Sequence, residues 1–161
     1  MKQMLPKAEY LKTLPRKIVG AGALLRNQKG EILIVKPTYR AGWLVPGGGV
    51  DALESPMAGC LREIKEEIGL ELESLDFLGV AYTLREDGES TYDTLQFTFS
   101  GGILSPKQIA QIALQDEELS EWKFAPVEEA SALLSPALAV RIRDAAAILS
   151  GGSIRYSEFR S

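Results

Sequence analysis

Residues Gly48 to Leu70 read GGVDALESPMAGCLREIKEEIGL, a run that sets Glu54, Glu63, Glu66 and Glu67, with Arg62 among them, on and just ahead of one predicted helix. Ser55 is a suitable N-cap, and Pro56 falls at the first helical position, where its missing N–H costs nothing. Gly69 stands where a helix would stop. The helix is therefore expected from about Pro56 to Ile68. At about 100° per residue, Met57, Leu61, Ile64 and Ile68 form one apolar stripe directed at a core. Glu63, Glu66 and Glu67 project from a neighbouring face, where like charges repel unless something positive sits among them. Oxygen-only ligands suit a hard cation, so Mg²⁺ (or Mn²⁺) is the expected cofactor; the competing reading is a solvated acidic face.

Immediately upstream, Trp43 to Val50 reads WLVPGGGV, a short apolar strand running into Pro46 and three glycines. Such a turn brings backbone close to a ligand and aims carbonyls or N–H groups at one point, although a structural turn uses glycines too. Counting outward from Gly48, five residues lead to Glu54 and seven more to Arg62-Glu63-Ile64, followed by Glu66-Glu67 and Gly69-Leu70. On these residues the chain resembles the Nudix hydrolase family, whose signature is G-x5-E-x7-R-E-U-x-E-E-x-G-U with U aliphatic. All nine specified positions match. A chance match anywhere in the chain is on the order of 10⁻⁷ or less.

The resemblance implies roles position by position. Glu63, Glu66 and Glu67 inherit the binding and orientation of divalent metals, Glu67 being the surest direct ligand, with the carbonyl of Gly47 as a further one. Arg62 would orient the acidic residues, and Gly48, Glu54 and Gly69 would support the loop and helix geometry. The implied reaction is cleavage of a phosphoanhydride by water. Bound cations screen the charge, acidify a water and stabilise the leaving phosphate, while a carboxylate acts as general base. The base is Glu63 or a member of the second acidic cluster, Asp116, Glu117, Glu118 and Glu121, ahead of Trp122. In several relatives a glutamate upstream of such a tryptophan-bearing strand reaches the metals, which favours Glu118, as both catalytic residue and metal ligand, with Glu117 next.

Composition sets limits. The 161 residues are 45% hydrophobic, carry a formal net charge of −4, and include one cysteine and no histidine. One domain over residues 1–161 is expected, with a core from about 17 to 149. Without histidine there is no His-based triad or His metal site, so carboxylates must move protons. Cys60 cannot form an internal disulfide and is expected to pack. No apolar run approaches the length of a membrane span, and the first residues lack a signal pattern, which leads to the expectation of a soluble, cytoplasmic protein. The acidic balance argues against a dedicated nucleic-acid surface.

Strands are expected at Lys17 to Arg26 and Glu31 to Lys36, joined through Asn27 to Gly30 as a hairpin. A second antiparallel pair is expected at Leu75 to Leu84 and Thr91 to Ser100, across the polar Arg85 to Ser90. A short strand is expected at Trp122 to Ala125. Helices are expected from Pro126 to Leu134 and from Pro136 to Leu149, with Gly151-Gly152 as the stop. The fold class is α/β, and by resemblance a Nudix-type α/β/α sandwich with a mixed β-sheet. The first fifteen and last ten residues remain unassigned edges, available to dock a partner subunit, as in a homodimer.

Substrate identity is less legible. The family's ADP-ribose subgroup has a proline about fifteen residues after the box, where this chain has Arg85 and Glu86. The SQPWPFP-like run of NADH pyrophosphatases and the coenzyme A pattern are also missing. A small nucleotide-type substrate, a nucleoside di- or triphosphate or another nucleoside diphosphate derivative, is the default. Lys36, Tyr39, Arg40, Trp43, Tyr82 and Arg85 are the candidate substrate-binding residues, the basic ones for phosphate and Trp43 or Tyr82 for base stacking. Two other functions fit the fold less well. A noncatalytic nucleotide sensor usually has a damaged box, and a diphosphate isomerase uses cysteine and histidine.

Overall fold

In the computed structural model, residues 5–86, 88 and 90–160 are described, Arg155 by its backbone alone. Met1 to Met4 of the amino-terminal edge, Ser161 of the carboxyl-terminal edge, and Asp87 and Glu89 of the expected polar separator lie outside them.

The sequence ILIV of residues 32–35 has no polar alternation, as expected for a strand covered on both faces. It lies in β2 (Ile32–Pro37), next to β1 (Ile18–Arg26). Leu33 and Val35 enter one apolar cluster together with Ala21, Ala23 and Leu25 of β1. Ile32 and Ile34 enter a second cluster on the opposite face with Leu24. Full burial of such side chains contributes about 1.5–3 kcal/mol each relative to exposure.

The first cluster is closed by α2 (Pro56–Ile68), which spans the interval its capping residues mark. The Ser55 hydroxyl accepts from the Ala58 amide at 3.2 Å. Gly69 at φ 71° ends the helix, its N–H donating to the Lys65 carbonyl at 3.0 Å. The buried stripe is rotated from the expected one. Cys60, Ile64 and Ile68 are fully buried, whereas Met57 is 37% exposed. Burial pushes the Cys60 thiol up to about 12, so it packs as an apolar group.

The second cluster is closed by α4 (Val127–Leu133) and α5 (Pro136–Leu149), which supply Ala130, Ala139, Ile142 and Ala145. Between the helical layers runs a mixed sheet. It comprises β3 (Gly47–Gly49), β4 (Asp76–Glu86), β5 (Thr91–Ile103), β6 (Leu119–Ala125) and β7 (Arg155–Arg160) beside β1 and β2. The order is β6-β2-β1-β5-β4-β7, with β3 against β1. β1 with β5 and β4 with β7 are parallel, and the remaining pairs are antiparallel. This is an α/β/α sandwich.

Several local features differ from the sequence reading. The β1–β2 hairpin pairs only at its root, Arg26 with Ile32. Beyond that point residues 43–49 are wedged between the two strands. Leu44 exchanges backbone hydrogen bonds with Val35 of β2, and Ala23 of β1 donates to Pro46. The three glycines therefore form a short strand rather than a turn, with Gly20, Ala21 and Gly22 opposite Gly49, Gly48 and Gly47. β4 and β5 continue through Arg85 and Glu86, paired with Tyr92 and Thr91. β6 starts at Leu119 because β2 offers it partners from Pro37 to Ile32.

The edges acquire structure. α1 (Lys7–Thr13) buries no residue, and β7 adds to the sheet beside β4. A short α3 (Pro106–Ala110) carries a reciprocal capping box between Ser105 and Gln108. Among the described residues no helix is long and apolar enough to cross a membrane.

Candidate active site

The wedge in the sheet and the α2 helix meet at one place, because both pack on β1. The Gly47 amide donates to Glu67 Oε2 at 2.8 Å. Glu67 is only 6% exposed, and no cation pairs with it among the described residues. Burial raises its carboxyl from the ordinary 4.5 to about 7; the Gly47 amide opposes this, and Glu63 and Glu118 add to it.

Arg62 organises the other carboxylates. It donates to Glu54 at 3.1 and 3.0 Å, to Glu63 at 2.9 Å, to Glu66 at 3.0 Å and to the Gly49 carbonyl at 2.9 Å. Its guanidinium is held above its ordinary range, mainly by Glu54. Glu54 is in turn lowered, chiefly by Arg62 and then by the Asp51 amide. Glu63 is raised because burial outweighs its bond to Arg62. Gly48 lies so close to Glu63 that a Cβ there would fall 2.5 Å from the carboxylate carbon. The bare backbone of β3 is what lets this glutamate fit.

The second acidic segment arrives by way of the helix end. Ala113 and Gln115 amides donate to the Ile68 and Glu67 carbonyls, and Thr38 of the β2 end holds the Glu117 and Glu118 carbonyls. Glu118 therefore lines an open cavity with Gly47, Gly48, Glu63, Glu66 and Glu67. Asp116, Glu117 and Glu121 do not line it; Glu121 pairs with Lys36 at 2.5 Å. Among the described residues no three acidic side chains stand close enough to hold one ion as placed, since Arg62 draws Glu63 and Glu66 aside and Gly47 holds Glu67. The donor set nevertheless fits a hard divalent cation. It is all oxygen, and it centres on a buried carboxylate that lacks a counter-charge.

A second cavity adjoins the first through Tyr39 and Gly47–Gly49 and extends between the sheet and α5. Tyr39, Arg40 and Arg85 line it. Lys36, Trp43 and Tyr82 do not. Lys36 sits near the Trp43 ring, 6.0 Å from its centroid, and that ring packs partly on the second core cluster. The Tyr82 hydroxyl donates to Asp93 at 3.1 Å, and Lys17 pairs with the same carboxylate. Gln96 of β5 and Arg141 of α5 line the cavity and are absent from the sequence reading. The signal for Arg141 was present. It falls three residues after Leu138 and four before Ala145, within the apolar stripe of its helix.

The NUDIX domain family model matches residues 16–146. Nudix hydrolase 5 of Arabidopsis thaliana is 30% identical over 116 residues, covering 69% of this chain and 37% of that protein. An RNA pyrophosphohydrolase of Psychrobacter cryohalolentis is 39% identical over 59 residues, 37% of this chain and 34% of that protein. The chain thus spans about a third of the length of these relatives. Among solved structures, a MutT protein from Methanosarcina mazei Go1 superposes with a TM-score of 0.68 at 24% identity, over 85% of this chain and 99% of that one. A C. elegans Ap4A hydrolase binary complex gives 0.66 at 22%, over 84% and 99%. With the family model covering residues 16–146, most of the sandwich, the chain belongs to the NUDIX domain family.

Proposed function

We propose that this protein hydrolyses a phosphoanhydride bond in a nucleoside di- or triphosphate or another nucleoside diphosphate derivative, with Mg²⁺ or Mn²⁺ held by Glu63, Glu66, Glu67, Glu118 and the Gly47 carbonyl. The observation that carries it is the continuity of the carboxylate cavity with a second, arginine-lined cavity across the glycine strand, which gives a diphosphate and its nucleoside adjacent places. The names of the relatives, RNA pyrophosphohydrolase and Ap4A hydrolase, point to the same reaction class.

When bound, the divalent ion would neutralise the diphosphate and acidify a water. The chain's own residues do the rest. Arg62 fixes Glu54, Glu63 and Glu66 in one orientation, so little reorganisation is needed when substrate arrives. Arg40 and Arg85 offer planar donors to phosphate oxygens. Glu118, exposed and facing the cavity, takes the proton as water adds to phosphorus and the bridging P–O bond breaks. The leaving phosphate departs towards solvent.

The test is phosphate or pyrophosphate release with Mg²⁺ and with Mn²⁺ from a panel of nucleoside triphosphates, oxidised nucleotides, ADP-ribose, dinucleoside polyphosphates and nucleotide sugars. A preferred substrate whose turnover falls at least about hundredfold in Glu67→Gln is the expected result. Equal turnover in Glu67→Gln and the parent would remove Glu67 from the site, and silence across the panel with both ions would overturn the reading.

A further inference from the structure

Arg141 is an unusual residue to place under a sheet. Its Nε is shielded from solvent and has no hydrogen-bond partner among the described residues. One terminal nitrogen donates to Thr98 Oγ1 at 3.0 Å and, more weakly, to the Phe97 carbonyl at 3.4 Å. Among the described residues no carboxylate is ion-paired with it. Burial, and after it the neighbouring cation Arg85, push the guanidinium down to about 10. Two cations adjoining in one cavity, one of them desolvated, cost stability unless an anion comes between them. A guanidinium that keeps an unpartnered Nε–H is also suited to take a phosphate oxygen. Gln96 completes a polar wall; its amide lies over Gly20, where a Cβ would fall 2.6 Å from the Gln96 oxygen.

We propose that Arg141 and Arg85 form an anion-receiving end of the second cavity, and that the substrate carries a further phosphoryl group that docks there while its scissile diphosphate lies at the glutamates. The substrate assignment rests on the proposed hydrolase activity; the anion site itself does not. The shared wall of Tyr39 and Gly47–Gly49 lets one ligand occupy both cavities. A preferred substrate would then bear negative charge at two separated points, as when a nucleoside diphosphate carries an additional phosphate on its sugar or beyond.

Inorganic phosphate tests the site directly. The full chain is melted in EDTA, so that no cation bridges phosphate to the carboxylates, which repel it. Phosphate is expected to raise the melting temperature saturably. Arg141→Met should abolish that shift, and Arg85→Ala, at an exposed position that keeps the fold, should weaken the phosphate affinity about tenfold. No shift in the native chain, or the same shift in both variants, overturns the site. In the hydrolysis assay, phosphate should compete with substrate, and Arg141→Met should relieve the competition. Inhibition that leaves KM unchanged overturns the assignment of the anion to the substrate and makes the occupant a free phosphate ion. A chain that binds phosphate through Arg141 but cleaves no diphosphate overturns the hydrolase reading and the substrate assignment, and supports the anion site. Cleavage without an Arg141-dependent shift overturns the anion site alone.

Discussion

The Gly47 amide donates to Glu67 Oε2 at 2.8 Å, tying the glycine strand to the last turn of the acidic helix through a carboxylate that is almost fully buried. Because burial raises Glu67 from 4.5 to about 7, the folded chain holds a proton that the unfolded chain has released between those values. Stability without divalent ions therefore falls as pH rises through that window and levels off above it. Thermal melts in EDTA from pH 5 to 8 should show this fall, and Glu67→Gln should flatten it and melt higher than the parent at pH 8. Identical slopes would mean that Glu67 is already ionised at pH 5.

Arg62 reaches Glu54, Glu63, Glu66 and the Gly49 carbonyl at once, a set of bonds that needs a planar fork. Arg62→Lys keeps the charge and loses the geometry. Urea denaturation should register a loss of about 1–3 kcal/mol, and turnover should drop at least about tenfold as the carboxylates come free. Unchanged stability would make these contacts an ordinary solvated ion pair.

Neighbouring glycines should respond differently to alanine. At Gly47, φ is +137° and the new Cβ would sit 2.2 Å from the Ala21 carbonyl oxygen, a collision with backbone that cannot yield. Gly47→Ala should cost about 3 kcal/mol or more. At Gly48 the obstacle is the Glu63 carboxylate, the end of a flexible side chain. Gly48→Ala should stay within about 1 kcal/mol of the parent while turnover falls, because Glu63 is displaced. Denaturation and rate measurements on the pair separate the two effects.

Glu118 is exposed and Glu63 is largely buried, so removing the charge of either tests the base without a common stability penalty. Glu118→Gln should lower kcat by about 10²–10⁴-fold with little change in melting temperature. A normal rate in Glu118→Gln, together with collapse in Glu63→Gln, would transfer the role to Glu63.

Where a local rule governs, the residues announced their structure. The α2 helix starts after Ser55 and ends at Gly69 because capping and left-handed backbone are decided within a few residues. α5 runs from Pro136 to Leu149, opened by a proline at its first position and stopped ahead of the left-handed Gly151, although Ser135 makes no side-chain cap bond. α3 was equally readable, since Ser105, Pro106 and Gln108 spell a capping box. β7 was not. Its aromatics, Tyr156 and Phe159, are three apart and lie on opposite faces, so no alternation marks it, and it exists by pairing with β4 from the far end of the chain.

The sequence by itself determined the chemistry-bearing helix, the glutamates on it and the double-sided apolar strands, because spacing along the chain fixes which side chains share a face. Only the tertiary structure decided that the glycines wedge between β1 and β2, that Glu118 joins Glu63 and Glu67, and that Arg141 and Arg85 line one cavity. Those juxtapositions join residues far apart in sequence, and they arise from which strands pair and which helix covers which face.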